Sequence, residues 1–261
     1  MKAVKSGRYS FLTGHWPLRK DLPTVVFIHG AGGNAQGWRK QVEGLSDVAN
    51  TLALDLPGHG ASDDHGLDSI SDYAGFTAGF IKELELHQAI ACGLSMGGGI
   101  ALQLLLDYAD WLKAGILIGT GARLRVAPFI FETIGQDYEG FVKLLSGLLF
   151  AENAGLEAVR EISSIMQACP PEVTAGDFRA CDSFDVTERV SGITRPVLII
   201  SGEEDQITPP KYADFLEKSI ANSVRSHILG AGHMIPNERP FEVNAAIRSF
   251  IESNFDLKAN P

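Results

Sequence analysis

The amino-acid sequence predicts an α/β fold built on a parallel sheet. Short runs rich in β-branched residues alternate with longer segments whose apolar residues recur at helical spacing. This alternation is typical of parallel strands joined by crossover helices. The chain has 261 residues, of which 45% are hydrophobic and 21% are charged, so it is long and apolar enough for one sizeable domain with a full core.

Six apolar runs are predicted as strands, and three longer segments are predicted as helices of the core. The strand runs cover residues 24–28, 51–54, 89–92, 114–118, 196–200 and, more weakly, 226–229. The helical segments cover residues 69–86, 98–112 and 241–255, because their apolar residues recur with the period of an α-helix.

A long segment between the fourth and the fifth of these strands breaks the alternation. It contains amphipathic stretches over residues 138–150 and 156–168, and Pro170 and Pro171 follow them. A structureless loop of that length is uncommon in a compact domain. We therefore expect a helical cap over residues 124–186, inserted into a core formed by residues 1–123 and 187–261. The alternative is that these helices merely extend the core.

The sequence Gly93-Leu94-Ser95-Met96-Gly97 follows a predicted strand and precedes a predicted helix. A GxSxG sequence in this context predicts a nucleophile elbow, a sharp turn that exposes a serine at the end of a strand. Side chains two positions from the serine would collide in so tight a turn, and the two glycines remove them. Ser95 is therefore the candidate nucleophile. The alternative is a structural turn in which Ser95 caps the helix.

A serine nucleophile needs a general base, which is usually a histidine oriented by a carboxylate. After this kind of elbow, the acid comes next in the chain and the histidine follows it. His227 and His233 both lie downstream of Ser95. His227 falls inside a predicted strand, whereas His233 lies in the glycine-rich loop after that strand, where an imidazole can reach the edge of the sheet. We therefore predict His233 as the general base.

The candidate acid is Asp205, in the loop that follows the strand run 196–200. The weaker candidates are Glu203, Glu204, Asp182 and Asp185. The two glutamates lie closer to the strand end and are expected to be solvated, and the other two aspartates lie at the end of the predicted cap. The alternative for the acids of this loop is that they stabilise the N-terminus of a helix beginning near Pro209.

Two N–H donors are needed to hold the oxyanion that forms during acyl transfer. One is expected from the residue after the nucleophile, Met96, and the other from the loop after the first strand run. That loop spans residues 29–33 and contains three glycines, which allow its backbone to approach a substrate closely. We predict the amides of Ala31 and Met96 as the donors, and His29 as a structural residue that hydrogen-bonds the loop.

Taken together, these residues resemble the α/β-hydrolase family over essentially the whole chain. The matching sequences are His29-Gly30-Ala31-Gly32, Asp55-Leu56-Pro57-Gly58-His59-Gly60-Ala61-Ser62, Gly93-Leu94-Ser95-Met96-Gly97-Gly98, Gly202-Glu203-Glu204-Asp205 and Gly232-His233. The resemblance implies the α/β-hydrolase fold, with a mostly parallel eight-stranded sheet, helices on both faces and a helical cap. It also implies a triad of Ser95, Asp205 and His233.

The activity that this resemblance implies is hydrolysis of a carboxylic ester, or of a related lactone or thioester, through an acyl-enzyme on Ser95. The serine differs from the aspartate of haloalkane dehalogenases and epoxide hydrolases. The run Ser95-Met96-Gly97-Gly98 is similar to esterases, enol-lactone hydrolases and cofactor-free haloperoxidases. Carbon–carbon bond hydrolases of the family often carry tryptophan after the histidine, where this chain has Met234. A carbon–carbon bond hydrolase, a perhydrolase and a non-catalytic ligand-binding member are the alternatives.

A dinucleotide-binding enzyme is an alternative from another class. Residues 30–35 fit GxGxxA after a strand, and Asp55 ends the next strand, near the position of an acid that binds a ribose. This interpretation leaves Ser95, Asp205 and His233 unexplained.

Composition and charge limit the expected partners and location. A formal net charge of −10 disfavours nucleic acid. A secretory signal is not visible, the apolar runs are too short to span a bilayer, and the three cysteines form no CxxC pair, so we expect a cytoplasmic protein that does not bind membranes. His59 and His65 are too loosely arranged to predict a zinc site.

The expected ligand is a small-molecule substrate with an apolar part, and the expected mechanism needs neither cofactor nor metal. Arg123 and Arg125 follow a strand end and either meet a carboxylate on the substrate or are solvated. The sequence leaves open the natural substrate and whether the chain forms a homo-oligomer.

Overall fold

The computed structural model describes residues 1–86 and 88–255. Eight strands form one mixed sheet: β1 (Lys2–Ser6), β2 (Tyr9–Thr13), β3 (Thr24–Ile28), β4 (Asn50–Leu54), β5 (Ala89–Leu94), β6 (Leu112–Ile118), β7 (Val197–Gly202) and β8 (Ser223–Ile228). Their order across the sheet is β1-β2-β4-β3-β5-β6-β7-β8. Strands β3 to β8 run parallel to one another, β2 is antiparallel to its neighbour β4, and β1 is antiparallel to β2. The mostly parallel eight-stranded sheet is confirmed.

The α-helices of the described residues are α1 (Arg39–Gly44), α2 (Ile70–Glu83), α3 (Met96–Asp107), α4 (Pro128–Gln136), α5 (Tyr138–Leu149), α6 (Leu156–Ala168), α7 (Pro171–Ser183), α8 (Pro210–Ser219), α9 (Ile235–Glu238) and α10 (Pro240–Asn254). In this part of the chain, none of them combines the length and the apolar character that crossing a membrane requires.

Two hydrophobic cores lie on opposite faces of the sheet because successive residues of a strand point to opposite sides. Val26 and Ile28 pack in the cluster that contains residues of α2 and α3. Val25 and Phe27 pack in the cluster that contains residues of α1 and α10. All five residues of β3 are buried, as expected for a parallel strand with helices on both faces.

Helices α4 to α7, called the cap helices below, lie between β6 and β7 and have an apolar cluster of their own. Phe141, Ile162 and Met166 are buried in it. Helix α7 also contacts α3 of the core. The separate role of residues 124–186 as a cap stays a prediction, and residues 256–261 of the predicted core lie outside the described part of the chain.

The sequence analysis missed β1 and β2 and placed the start of β8 three residues too late. Strand β1 is an edge strand with mostly exposed residues, so its sequence has no apolar run. Strand β8 forms the other edge, and its half-exposed, polar first residues hide its start. Apolar runs therefore revealed the central parallel strands, whereas the edge strands and the buried antiparallel strand β2 were missed in whole or in part.

The position of a strand in the sheet should determine what a methyl deletion costs. Val25→Ala in the buried strand β3 should lower the free energy of unfolding by about 2 kcal/mol, because it removes two methyl groups from a closed core. Val224→Ala makes the same chemical change in the edge strand β8, where the side chain is 54% exposed, and should change stability by less than about 0.5 kcal/mol. Urea unfolding of both variants measures the difference, and equal losses would contradict the assignment of β3 to the sheet centre.

Candidate active site

Ser95 lies in the turn between β5 and α3. Its backbone has φ 57° and ψ −118°, a conformation that residues with side chains rarely adopt. A methyl group on Gly93 would overlap the carbonyl of Gly97, and one on Gly97 would overlap the carbonyl of Ile28. The strained turn expected at Ser95 is present. The second glycine is needed because the end of β3 passes directly behind it.

The Ser95 side chain is free of structural hydrogen bonds within the described residues. It does not cap α3, so the structural-turn alternative lacks the bond that it requires. The backbone instead fixes the turn, since Ser95 N–H donates to the carbonyl of Ile118 at 3.0 Å and the hydroxyl of Thr120 donates to the carbonyl of Ser95 at 2.8 Å. Ser95 lines a cavity of about 270 Å³.

Asp205 and His233 form a buried hydrogen-bonded pair. The Nδ1–H of His233 lies 3.0 Å from Oδ1 and 2.9 Å from Oδ2 of Asp205. The two residues follow β7 and β8, which are parallel neighbours, so their loops leave the sheet at the same edge. The proton on Nδ1 leaves Nε2 of His233 as the ring nitrogen that can act as a base.

The cavity brings Ser95 and His233 together, since both line it. The described residues include no hydrogen-bond partner for the Ser95 hydroxyl, so the structure places the two side chains in one cavity without a direct bond. Hydrogen bonds of this kind are often long before a substrate binds and shorten in the reactive complex.

Thr208 completes the environment of Asp205, and sequence reasoning missed it. Its N–H donates to Oδ1 of Asp205 at 2.8 Å and its hydroxyl donates to Oδ2 at 2.9 Å, while the N–H of Ile207 also donates to Oδ1 at 2.9 Å. Burial raises the pKa of Asp205, but attraction to His233 and these hydrogen bonds outweigh it and leave the pKa lowered. A hydroxyl three residues after an aspartate was the local signal that pointed to Thr208.

The other candidate acids are bonded elsewhere. Asp182 accepts a backbone N–H near the start of the cap helices at 3.1 Å. Asp185 lies 3.5 Å from the guanidinium of Arg123. Glu203 and Glu204 are exposed, and none of the four lines the cavity with Ser95.

Of the remaining polar candidates, one lines the cavity and the others do not. His227 lies in β8, where its Nδ1 is 3.1 Å from the hydroxyl of Ser201, and it does not line the cavity. Arg125 lines the cavity while its guanidinium donates to the carbonyl of Asp182 at 2.6 Å. Of the two arginines singled out in the sequence, Arg125 is therefore the one within reach of a ligand.

The loop after β3 runs beside Ser95. A methyl group on Gly30 would lie 3.4 Å from Cβ of Ser95. Ala31 lines the cavity, and its amide makes no hydrogen bond to another described residue. Met96 is the first residue of α3, so its amide has no acceptor within that helix. Both amides are available as donors, and their role at an oxyanion stays a prediction.

His29 supports this loop as a structural residue. Its Nδ1–H donates to the carbonyl of Gly30 at 2.9 Å, and its Nε2 accepts the N–H of Leu56 at 3.2 Å. Burial, together with the nearby charge of His59, keeps the pKa of His29 well below its usual value. The ring is therefore neutral, as its acceptor role requires.

The carboxylate of Asp55 makes structural hydrogen bonds in the core next to this loop. Its carboxylate accepts the N–H groups of Ala35 at 2.9 Å and of Ala61 at 3.1 Å. These bonds tie the ends of two loops together and bury the acid. The ribose contact required by the dinucleotide-binding alternative is therefore not available from Asp55.

A second buried histidine–aspartate pair, which the sequence analysis did not predict, lies behind the loop. Nε2 of His59 is 2.8 Å from Oδ2 of Asp177, and its Nδ1 is 2.9 Å from the carbonyl of Pro57. Both ring nitrogens face acceptors, so both carry protons and the ring is charged. Burial opposes this charge, but attraction and hydrogen bonding to Asp177 raise the pKa of His59 to about 10.

Asp177 also binds two other groups. The hydroxyl of Tyr73 donates to Oδ1 at 2.6 Å, and the N–H of Gly32 donates to Oδ2 at 2.8 Å. Asp177 is fully buried and lies on α7, whereas its partners belong to the core.

The loop that carries His233 is bonded to the cap helices as well. The carbonyl of Leu149, at the end of α5, accepts the N–H groups of His233 at 2.8 Å and of Met234 at 3.0 Å. The carboxylate of Glu238 accepts the N–H groups of Ala151 at 2.9 Å and of Gly232 at 3.1 Å. The end of α5 therefore fixes the backbone on both sides of the histidine.

The wall of the cavity opposite Ser95 is largely apolar and comes from the cap helices. Its apolar residues are Phe129, Ile130, Leu145, Leu148, Leu149, Ile162, Ile165, Met166 and Phe178. Four other apolar residues of segment 124–186 do not line the cavity, namely Phe131, Phe141, Leu144 and Phe150. Phe141 and Phe150 pack in the apolar cluster of the cap helices, whereas Leu144 is exposed.

Comparison with known proteins identifies the family. Residues 25–246 match the model of the alpha/beta hydrolase family. The chain belongs to this family. The match includes Ser95, Asp205 and His233, and it covers the sheet from β3 onward together with the cap helices.

Individual α/β hydrolases and related proteins show how far the likeness extends. A solved structure described as a thermophilic esterase is 32% identical, with a TM-score of 0.84 and 97% of each chain covered. The dihydrolipoyllysine-residue acetyltransferase component of the acetoin cleaving system of Cupriavidus necator is 30% identical over 87% of this chain, which spans 63% of that protein's length. The pimeloyl-[acyl-carrier protein] methyl ester esterase of Nitrosomonas europaea is 27% identical over 76% of this chain and 83% of its own.

The charged state of His59 predicts a pH dependence of stability. In the folded protein the pKa of His59 is raised to about 10, whereas in an unfolded chain it has its ordinary value of about 6.5. The stabilisation is therefore complete below pH 6.5 and is lost as the pH rises towards 10, by up to about 1.4 kcal/mol for each pH unit. The difference in free energy of unfolding between wild type and His59→Gln should shrink over this range in urea titrations. A difference that stays constant would contradict a charged His59.

Proposed function

We propose that this α/β hydrolase cleaves a carboxylic ester, or a related lactone or thioester, through an acyl-enzyme on Ser95. The observation that carries the proposal is the buried Asp205–His233 hydrogen bond at the edge of a cavity that also contains the strained Ser95. Asp205 holds a proton of His233 on Nδ1, so in the neutral ring Nε2 is the nitrogen that can accept the proton of a serine hydroxyl.

In the first half of the proposed cycle, Nε2 of His233 takes the proton of the Ser95 hydroxyl as Oγ attacks the carbonyl carbon of the substrate. The negative charge moves to the carbonyl oxygen, where the amides of Ala31 and Met96 stabilise it by hydrogen bonds. When the tetrahedral intermediate collapses, His233 gives its proton to the leaving alkoxide, and the alcohol departs. Asp205 remains ionised and stabilises the imidazolium while it exists.

In the second half of the cycle, water replaces the alcohol. His233 removes a proton from the water as its oxygen attacks the acyl-enzyme, and the same two amides hold the second oxyanion. Collapse returns the proton to Ser95 Oγ and releases the carboxylic acid. The cycle uses no cofactor and no metal ion.

The cavity supports a small substrate with an apolar part. Its volume of about 270 Å³ accommodates a modest acyl or alcohol group, and the apolar side chains of the cap helices surround that space. A relative that acts on a methyl ester and a structural neighbour described as an esterase support the choice of ester over other acyl compounds.

Ser95→Ala should remove ester hydrolysis. Without the nucleophile, kcat on short p-nitrophenyl esters should fall by about 10⁶-fold, to the level of background. A fluorophosphonate probe should label wild type at Ser95 and should not label the variant. Ser146→Ala, at a serine of α5 that does not line the cavity, is the control and should be labelled like wild type. Full activity of Ser95→Ala would end the assignment of the nucleophile.

Asp205→Asn should lower kcat by up to about 10⁴-fold with little change in KM, because the amide cannot hold the proton on Nδ1 of His233. Asp182→Asn is the matched control. Its carboxylate accepts a backbone N–H far from the histidine, and an amide oxygen can take its place. Steady-state kinetics of the two variants on one ester decide the question. A large loss in Asp182→Asn with none in Asp205→Asn would transfer the acid role to Asp182.

A further inference from the structure

We propose that Asp177 is a positioning residue for the oxyanion loop, defined as residues 30–33, and that the cap helices control the geometry of the oxyanion hole through it. This inference rests on the proposed function. Asp177 does not line the cavity, so it acts through the backbone that it binds rather than on a substrate.

The first step is the bond between Asp177 and Gly32. The Gly32 N–H that donates to Asp177 at 2.8 Å belongs to the peptide unit that links Ala31 to Gly32. Holding this peptide restricts the backbone of Ala31, whose own amide is the proposed donor to the oxyanion. The turn inside the loop, where Gly33 N–H donates to the carbonyl of Gly30 at 3.1 Å, moves with the loop and does not fix its position. Asp177 supplies an anchor from another part of the fold.

The second step is that the anchor is rigid. Asp177 is fully buried, and three donors converge on its two oxygens. His59 balances its charge, because both ring nitrogens of that histidine face acceptors. Hydrogen bonds to an ionised group are stronger than neutral ones, and removing the carboxylate would leave the imidazolium unpaired.

The third step is that attaching the cap helices to the core does not by itself require the bond between Asp177 and Gly32. Tyr73 of α2 already ties Asp177 to the core through Oδ1, so the bond to Gly32 adds nothing that such a tie requires. Gly32 also has a positive φ of 64°, and a methyl group at Gly32 would lie in van der Waals contact with the side chain of Thr174 on α7, 3.4 Å from its hydroxyl oxygen. Helix α7 and the oxyanion loop therefore fit each other at close range.

The test compares two variants that each cut a bond between α7 and the core. Asp177→Ala removes the acceptor of Gly32, whereas Tyr73→Phe removes one donor to Asp177 and leaves the Gly32 bond in place. In Asp177→Ala, kcat on a p-nitrophenyl ester should fall by about tenfold or more, but by less than the loss of a whole oxyanion donor, while KM stays within about threefold. In Tyr73→Phe, the His59 ring still holds Oδ2, the oxygen that accepts the Gly32 N–H, so kcat should stay within about twofold of wild type, whatever stability the variant loses. An equal fall of kcat in both variants would overturn the proposal.

Asp177→Asn separates the hydrogen bond from the charge. Its amide oxygen can still accept the Gly32 N–H, so this variant should recover most of the kcat that Asp177→Ala loses. A folded Asp177→Asn that is as slow as Asp177→Ala would show that the bond to Gly32 is not what matters, and it would overturn the proposal.

Amide exchange at Gly32, resolved by NMR, tests the anchor without reference to activity. In wild type, the Gly32 amide should exchange more slowly than that of Ala31, because it is bonded to a buried carboxylate. Asp177→Ala should remove this protection, and Tyr73→Phe should preserve it. Equally fast exchange at Gly32 and Ala31 in wild type would overturn the proposal even if Asp177→Ala does not fold. If wild type hydrolyses none of the esters, the proposed function fails, and the exchange data still decide whether Asp177 holds the loop.

Discussion

The parallel alignment of β3 to β8 is the constraint on which the candidate site depends. Parallel strands end at the same edge of a sheet, so the loops after β3, β5, β7 and β8 meet there although they are far apart in the chain. The register brings Ile28 beside Gly93, and Gly202 beside Ile228. Ser95, Asp205, His233 and the oxyanion loop each follow one of these strand ends. The parallel sheet brings these residues together, and their side chains determine only how they contact each other.

Two buried histidine–aspartate pairs lie near this edge, and the second ring nitrogen gives them different chemistry. In His233, Nδ1 is bonded to Asp205 and Nε2 is left without a partner among the described residues. Such a ring can accept and return a proton. In His59, both nitrogens donate, one to Asp177 and one to a backbone carbonyl, so the ring stays charged and cannot serve as a base. The same two residue types therefore leave one ring nitrogen free in the first pair and form a fixed ion pair in the second.

The sequence was informative where the cause of the structure is local. The central parallel strands appear as apolar runs because helices cover both of their faces, and the elbow appears as two glycines around Ser95 because sterics within a few residues determine the turn. The edge strands β1 and β8 gave weak signals, since solvent on one side removes the need for apolar residues. Asp177 gave none, because its partner Gly32 lies 145 residues away and only the packing of α7 on the core brings them together. Thr208 is an intermediate case. It lies three residues after Asp205, so the sequence contained a local signal for its hydrogen bond to the carboxylate, but the sequence analysis did not single it out.

The cap helices are bonded to two loops, the one that carries the proposed base His233 and the one that carries the proposed oxyanion donor Ala31. The carbonyl of Leu149 accepts two N–H groups of the histidine loop, and Asp177 accepts one of the oxyanion loop. If the cap helices moved outward together as a rigid body to exchange a ligand, both attachments would break. The residues of the candidate site would then lose their positions. Ligand entry and exit cost less free energy when single side chains or a single helix move at the apolar wall formed by the cap helices. Such movements leave both attachments intact. Substitutions that change the substrate range are therefore expected among the apolar cap residues that line the cavity, rather than at Asp177 or at the end of α5.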